Sequence, residues 1–439
     1  MGVTQDLARF AAETPSGRLP KSVPHATKRA AINALGVALF SSQDPALRIL
    51  LDLFAEEGGA PRATVWGAAT RTSATNAALA NGFAAHLEDY DDTHFPTLVH
   101  VSAPTLPAAW AAAEIAGASG RDLLTAVALG IEVCSRVCLA FHPWHYDEGW
   151  HITGTLGVFG AAAAAGRILG LDAGSMARAF GIAGAQSAGV REGFGTMTKP
   201  LHAARAAQAG LTAALLAADG FTAPETILEG RRGLGAVLSP EVDLSRATEA
   251  LGERWEIFQD GLKPYACCLV THPAIDAALA IRSRPGFDAG AVRLIEAVVN
   301  PLVPELTHRP EPTTGLEAKF SVQHCIAVAL LAGAAYPAQF EAAVVNDEGV
   351  ARLRRATRLT VDASIPEDAC VLRVALQDGT WLEERVEHAT GSPENPISDE
   401  RLSEKFLALV SPMMGEAAAA LLERLWRLEG EPSVAGLLP

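Results

Sequence analysis

Four short stretches concentrate the side chains able to move protons or hold an anion. Residues 193–210, GFGTMTKPLHAARAAQAG, set Lys199 and His202 at the start of a helical pattern. A phosphate-binding loop needs glycine directly before the lysine and Ser or Thr after it, but Thr198 and Pro200 stand there. A dinucleotide-binding turn needs a third glycine where Thr198 lies, so both nucleotide readings fail. Pro200 suits the first position of a helix, where its missing N–H costs nothing, and this predicts Lys199 at the N-cap. Free N–H groups and the helix dipole beside an ammonium favour a carboxylate or other anion. The alternative is an ordinary capped helix with a solvated lysine.

The second stretch is AAHLEDYDDTHFPTLVH, residues 84–100. If it is helical, His86, Asp89 and Thr93 share a face with Asp92 close by, and His94 and His100 follow around Pro96. Acid, hydroxyl and imidazole groups so gathered suit acid–base work; a polar helix end with capping aspartates uses the same residues. The spacing matches no strong metal-ligand set, so no metal is expected. FHPWHYDEGWHITGTLG adds His142, His145 and His151, the last just before a buried helix, where a proton donor or a satisfied core histidine would serve equally. KPYACCLVTHPAIDA adds Lys263, Tyr265 and His272 at a suspected domain junction, a common place for a cleft.

The elements that must position these groups are mostly helices. From residue 21 to about 265 apolar residues recur at three- and four-residue steps, with repeated stops near glycine. Past residue 290 the texture changes to short β-branched runs, and Asp378-Gly379 between two of them marks a hairpin. The expected fold is mainly α: a large all-helical domain formed by residues 1–268 and 398–439, and a smaller α+β lid domain of residues 269–397. The apolar stretches are rich in alanine and glycine and read as buried helices, not membrane spans. The amino terminus lacks the apolar core of a signal peptide, and the six cysteines contain no CxxC pair, which together predict reduced thiols and a cytoplasmic protein. A formal charge of −15 argues against nucleic acid as a partner. It also sets a condition: an anionic substrate requires scarce positive charge to be concentrated at one place.

These stretches, together with GFTAPETILEG and RPEPTTGLEAKFS, resemble the MmgE/PrpD family in wording and order over most of the chain. The resemblance implies a homodimer working without metal or organic cofactor on a small di- or tricarboxylic acid, as dehydratase, decarboxylase or epimerase. It makes His100 and His151 proton-transfer groups, with Asp89 orienting an imidazole. It makes Lys199 a carboxylate binder and Thr93 a hydrogen-bonding partner of the substrate, with His202, Lys263 and Tyr265 as further binding residues. Two departures stand out: Val101 follows His100 where the family carries proline, and Leu306 occupies the place of a decarboxylase tyrosine, for which His308 or Tyr265 would have to compensate. The reading is therefore a cofactor-independent lyase, with 2-methylcitrate-like dehydration ahead of decarboxylation. An epimerase and a non-catalytic anion-binding homologue are the alternatives.

Overall fold

The computed structural model describes residues 2–439, and it is mainly helical. Fourteen longer helices organise it. They are α1 (Val3–Glu13), α2 (Ser22–Ser41), α3 (Pro45–Glu57), α4 (Ala74–Leu87), α5 (Ser102–Ala116), α6 (Gly120–Phe141), α7 (Ile152–Ile168), α8 (Ala173–Gly184) and α9 (Thr198–Ala218). Further on come α10 (His272–Arg282), α11 (Val322–Ala332), α12 (Glu348–Ala356), α13 (Asp399–Met414) and α14 (Ala417–Trp426).

Helix α7 is the hub of the first half and packs against α5, α6, α8 and α9. Alanine and glycine along these helices let the backbones approach. A Cβ added at Gly130 of α6 would lie 2.7 Å from the Gly160 carbonyl oxygen of α7, and one at Gly160 would lie 2.9 Å from that of Gly130. Helix α6 is long and apolar enough to cross a membrane, yet it is buried along its length inside the fold. Its Arg136 bonds Glu132 at 2.5 Å and donates to the carbonyls of Glu249 and Arg254 at 2.6 and 2.7 Å, so the buried charge is fully partnered.

Four strands, β5 (Val292–Val299), β6 (Thr357–Val361), β7 (Cys370–Leu376) and β8 (Trp381–Val386), form one sheet in the order β6-β5-β7-β8. Only the β5–β6 pair is parallel. The Asp378-Gly379 hairpin joins β7 to β8, with Gly379 at φ 90° and Asp378 Oδ1 accepting from Thr380 N at 2.9 Å. Helices α13 and α14 pack on α2, not on this sheet. Two short ladders lie among the helices: β1 (Ala63–Val65) with β2 (Thr70–Thr72), and β3 (Asp92–His94) with β4 (Asp260–Leu262). Three-residue strands are too short to show period-two alternation, which is why the sequence pattern hides them. The β3–β4 pair matters most, because it ties the aspartate-rich segment to the segment carrying Lys263.

The close approach of α6 and α7 can be tested. Gly130→Ala gains about 1 kcal/mol of helix propensity, but its methyl meets backbone, and overpacking of this kind costs about 1–3 kcal/mol. Thermal unfolding should therefore show a lower melting temperature; an unchanged or higher value would mean the two helices part without cost.

Candidate active site

Helix α4 stops at Leu87, sooner than a helical reading of residues 84–93 requires. Asp89 turns the chain with a left-handed backbone, φ 50°, and Thr93 sits on β3. His86, Asp89 and Thr93 therefore do not share a helix face. The turn instead sends neighbouring acids to separate partners. Glu88 accepts from Lys319 Nζ at 2.8 Å, Asp89 Oδ1 lies 2.5 Å from Lys199 Nζ and 3.1 Å from Lys263 Nζ, and Asp91 lies between two histidines. Aspartate tolerates the left-handed region better than most side chains, which suits it to this corner.

The start of α9 also differs from expectation. The helix begins at Thr198, so Lys199 and Pro200 are its second and third residues and not cap and first residue. Proline is tolerated throughout a first turn because those N–H groups have no partner within the helix. The N–H groups here are already used: Thr198 N donates to Thr196 Oγ1 at 3.2 Å and Lys199 N to Thr196 O at 3.2 Å. The ammonium of Lys199, and not the helix dipole, is thus the anion-attracting group.

His100 and His151 both line a cavity with a free volume of about 30 Å³. That is room for only a water molecule or two, too narrow for a di- or tricarboxylic acid. Asp89, Lys199, Lys263 and Thr93 line it as well, together with the apolar Leu98, Leu269, Val270, Leu306, Phe194 and Phe320; Lys199 Nζ lies 5.5 and 5.3 Å from the ring centres of Phe194 and Phe320. His100 Nδ1 lies 2.9 Å from the Asp92 carbonyl and 3.2 Å from Asp91 Oδ1, both acceptors only. Nδ1 must then carry the proton, which leaves a lone pair on Nε2. His86 Nδ1 donates to the other oxygen of Asp91 at 2.7 Å. His151 is fixed differently: its Nδ1 lies 3.0 Å from His202 Nδ1, and its buried Nε2 has no hydrogen-bond partner among the described residues.

Burial keeps these imidazoles neutral. It pushes His100 down to about 3 against the pull of Asp91, and it lowers His151 far below the usual histidine value with Lys199 adding to the effect. Burial opposes the charge on Asp89 as well, but Lys199 and Lys263 overcome it and hold the carboxyl well below its ordinary range. The Asp91 carboxyl is likewise held well below its ordinary range, against burial, first by electrostatic attraction to His100 and His86 and then by their ring N–H groups. The atoms of His86, Asp89, Asp91 and His100 lie close enough to bind a cation, within 4.8 Å of one another. Two ammonium groups on Asp89 repel one, and Asp91 Oδ2 already accepts from His86 Nδ1.

Six of the eight residues singled out from the sequence, Asp89, Thr93, His100, His151, Lys199 and Lys263, come together at the cavity. Asp89 orients no imidazole; it balances the lysines, and Asp91 holds His100. His202 lies behind His151 and not on the cavity wall. Tyr265 points away, its hydroxyl donating to Asp276 Oδ1 at 2.5 Å, as a buried phenol requires a partner. His308 is bonded to Gln323 at 2.9 Å, so neither it nor Tyr265 replaces the polar group missing at Leu306. His94 and His145 are structural, bonded to Thr97 and Glu256, and to Leu238 and Thr155. Asp91 and Tyr146, the latter on the cavity wall, were not legible as site residues. Asp91 stands one position from Asp92 in DYDD, and only the turn at Asp89 decides which carboxylate faces the histidines.

Both halves of the chain match one family: residues 5–247 the MmgE/PrpD N-terminal domain, and residues 265–428 the MmgE/PrpD C-terminal domain. The chain belongs to the MmgE/PrpD family. Cis-aconitate decarboxylase of Mus musculus is 30% identical over 97% of this chain and 91% of its own length. The Homo sapiens protein of that name is 29% identical over 97% and 92%, and that of Aspergillus terreus 26% over 97% and 92%. The chain is thus an enzyme of the MmgE/PrpD lyase type. The C-terminal match includes α13 and α14, although these helices pack on α2 of the N-terminal match. The cavity lies where the two matches meet, with Asp89, His100, His151 and Lys199 from the first and Leu269, Leu306 and Phe320 from the second.

A pH prediction follows from the buried imidazoles. His86, His94, His100, His145 and His151 all have lowered values in the fold, so the unfolded chain binds more protons below pH 6.5 and acid removes stability. His142, His202 and His324 add to this, while Asp92, raised to about 6, Glu132, raised to about 7, Asp260, Asp44, Glu114, Asp276 and Glu367 work in the opposite sense and offset part of it. Denaturant unfolding should show stability lost from pH 6.5 downward by at least about 1.4 kcal/mol per unit near pH 5. A flat profile between pH 7 and 5 would show that the imidazoles are charged in the fold.

Proposed function

We propose that this enzyme is a cofactor-independent lyase acting on a di- or tricarboxylic acid, and that decarboxylation of a cis-aconitate-like acid is its reaction. The observation that carries this reading is the Asp89–Lys199–Lys263 trio gathered with two neutral histidines at one cavity whose remaining lining is largely apolar. One carboxylate and two ammonium groups leave a net positive charge there, suited to a substrate carboxylate. A second carboxylate set against Leu98, Leu269 and Leu306 would lose its water and gain no partner, which favours its departure as carbon dioxide. The C–C bond breaks with its electron pair left on the substrate carbon. The charge spreads onto the carboxylate held by the lysines, where fixed cations stabilise it without reorganising. A proton from His151 Nε2, in its Nε2–H tautomer, then closes the new C–H bond.

Dehydration, which the sequence placed first, keeps one observation in its favour. His100 has its lone pair on Nε2 toward the cavity, and a neutral imidazole so held can remove a proton beside a carboxylate. The full-length relatives and the apolar lining shift the preference to decarboxylation. Under either reading the cavity must widen before substrate enters, and parting the two halves of the chain that line it would do so. The enzyme is expected to keep its activity after exhaustive chelation.

The test is product analysis by NMR over a panel of cis-aconitate, citrate, 2-methylcitrate and related dicarboxylates. Lys199→Met should weaken transition-state stabilisation by about 1.5–3 kcal/mol, the scale of a hydrogen bond to a charged group, seen as lower kcat/KM. The fold should survive because Asp89 keeps Lys263. Lys28→Met, remote on α2, should leave the kinetics unaltered. Thermal stabilisation by these acids without any turnover would instead indicate a non-catalytic anion-binding protein.

A further inference from the structure

His151 is enclosed: it is 1% exposed, and its Nε2 has no hydrogen-bond partner among the described residues. Any proton it gives to a substrate must be replaced by a route that reaches this buried ring. The one polar group on its other nitrogen is His202, three residues after Lys199 on α9, at 3.0 Å between the two Nδ1 atoms. His202 is partly exposed, unlike His151. Its ring lies in a slot formed by glycines from three segments. A Cβ at Gly154 would meet His202 Cβ at 2.8 Å, one at Gly189 its Cγ at 3.1 Å, and one at Gly193 its Cε1 at 3.2 Å. Larger residues at these positions would crowd the imidazole away from His151. The main chain fixes the partner ring as well, since His151 N donates to Gly189 O at 3.1 Å.

A hydrogen bond between two Nδ1 atoms has a chemical consequence. One nitrogen must donate and the other accept, so the two tautomers are linked and opposite. With the proton on His202 Nδ1, His151 has its proton on Nε2 and faces the cavity as a donor. With the proton on His151 Nδ1, His151 Nε2 is an acceptor. We propose that His202 is a proton relay joining His151 to solvent. As His151 Nε2 gives its proton to the substrate carbon, the His202 Nδ1 proton passes to His151 Nδ1 and His202 Nε2 takes a proton from hydronium or a buffer acid, so that one solvent proton is consumed. Both rings end neutral in exchanged tautomers. They reset through water when the cavity opens to release product. In the opposite direction the same pair carries a proton from substrate to solvent.

This inference rests on the acid–base reading above, and its test separates the two. His202→Asn can still hydrogen-bond His151 but cannot pass a proton through a ring; His202→Ala leaves a space. Both should lower kcat about 100-fold, the lower end of acid–base effects, with KM within about threefold. Added imidazole should restore the His202→Ala rate in a saturable way, with melting temperatures confirming folded protein. Wild-type kcat in His202→Asn, or no rescue of His202→Ala, would overturn the relay. A measurement free of turnover is the solvent exchange of the His151 ring proton by 15N-resolved NMR. Exchange should slow about tenfold in His202→Asn, and unchanged exchange overturns the relay whether or not a substrate is found. Slowed exchange with no carboxylic acid consumed would support the relay and count against the functional reading alone.

Discussion

A buried carboxylate held between two ammonium groups governs the rest of this structure. Asp89, Lys199 and Lys263 are 3%, 5% and 1% exposed, and removing such ions from water costs several kcal/mol each unless every charge is met. Other groups are arranged to meet that cost. Lys263 Nζ also donates to the Asp89 carbonyl at 3.0 Å, and Lys405 Nζ donates to Asn33 Oδ1, Tyr90 O and Lys263 O at 2.6, 2.7 and 2.8 Å. Burial draws the Lys405 pKa down, yet three oxygen acceptors match the three N–H groups of an ammonium, and we read it as charged. Lys319 fixes Glu88 and the Ala266 carbonyl on the other side. A chain of net charge −15 thus concentrates four lysines around one turn, and only the trio around Asp89 lines the cavity.

The histidines divide their work by what holds Nδ1. A backbone carbonyl and the Asp91 carboxylate fix His100 in one tautomer. His151 meets another imidazole, which can donate or accept. Two residues of the same type, both neutral through burial, therefore differ at Nε2: a fixed lone pair on His100, and on His151 a tautomer set by its partner imidazole. Geometry, more than pKa, separates acid from base here.

The scaffold allows little looseness in these distances. Backbone contacts at Gly130, Gly160 and Gly210 bring α6, α7 and α9 close together, so the residues at their ends inherit a rigid frame. The half of the chain that carries the sheet adds Leu269, Val270, Leu306 and Phe320 to the cavity lining, all of them apolar. Substrate would touch both parts of this lining, which ties binding to bringing the two halves together.

The sequence by itself determined the helical character, the change of texture near residue 290, the hairpin at Asp378-Gly379 and six of the eight residues first singled out that line the cavity. These are local properties: residue period, turn chemistry and motif wording survive without knowledge of the fold. Tertiary structure alone decided the roles within the cluster. Whether Asp89 or Asp91 reaches an imidazole depends on a left-handed backbone at residue 89 and on the pairing of β3 with β4, which joins segments far apart in the chain. His202 and Tyr265 share motifs with cavity residues, yet one sits behind His151 and the other bonds Asp276. Spacing along a chain gives side chains a common neighbourhood. The direction in which each one points is set by long-range contacts and by the requirement that every buried polar group find a partner.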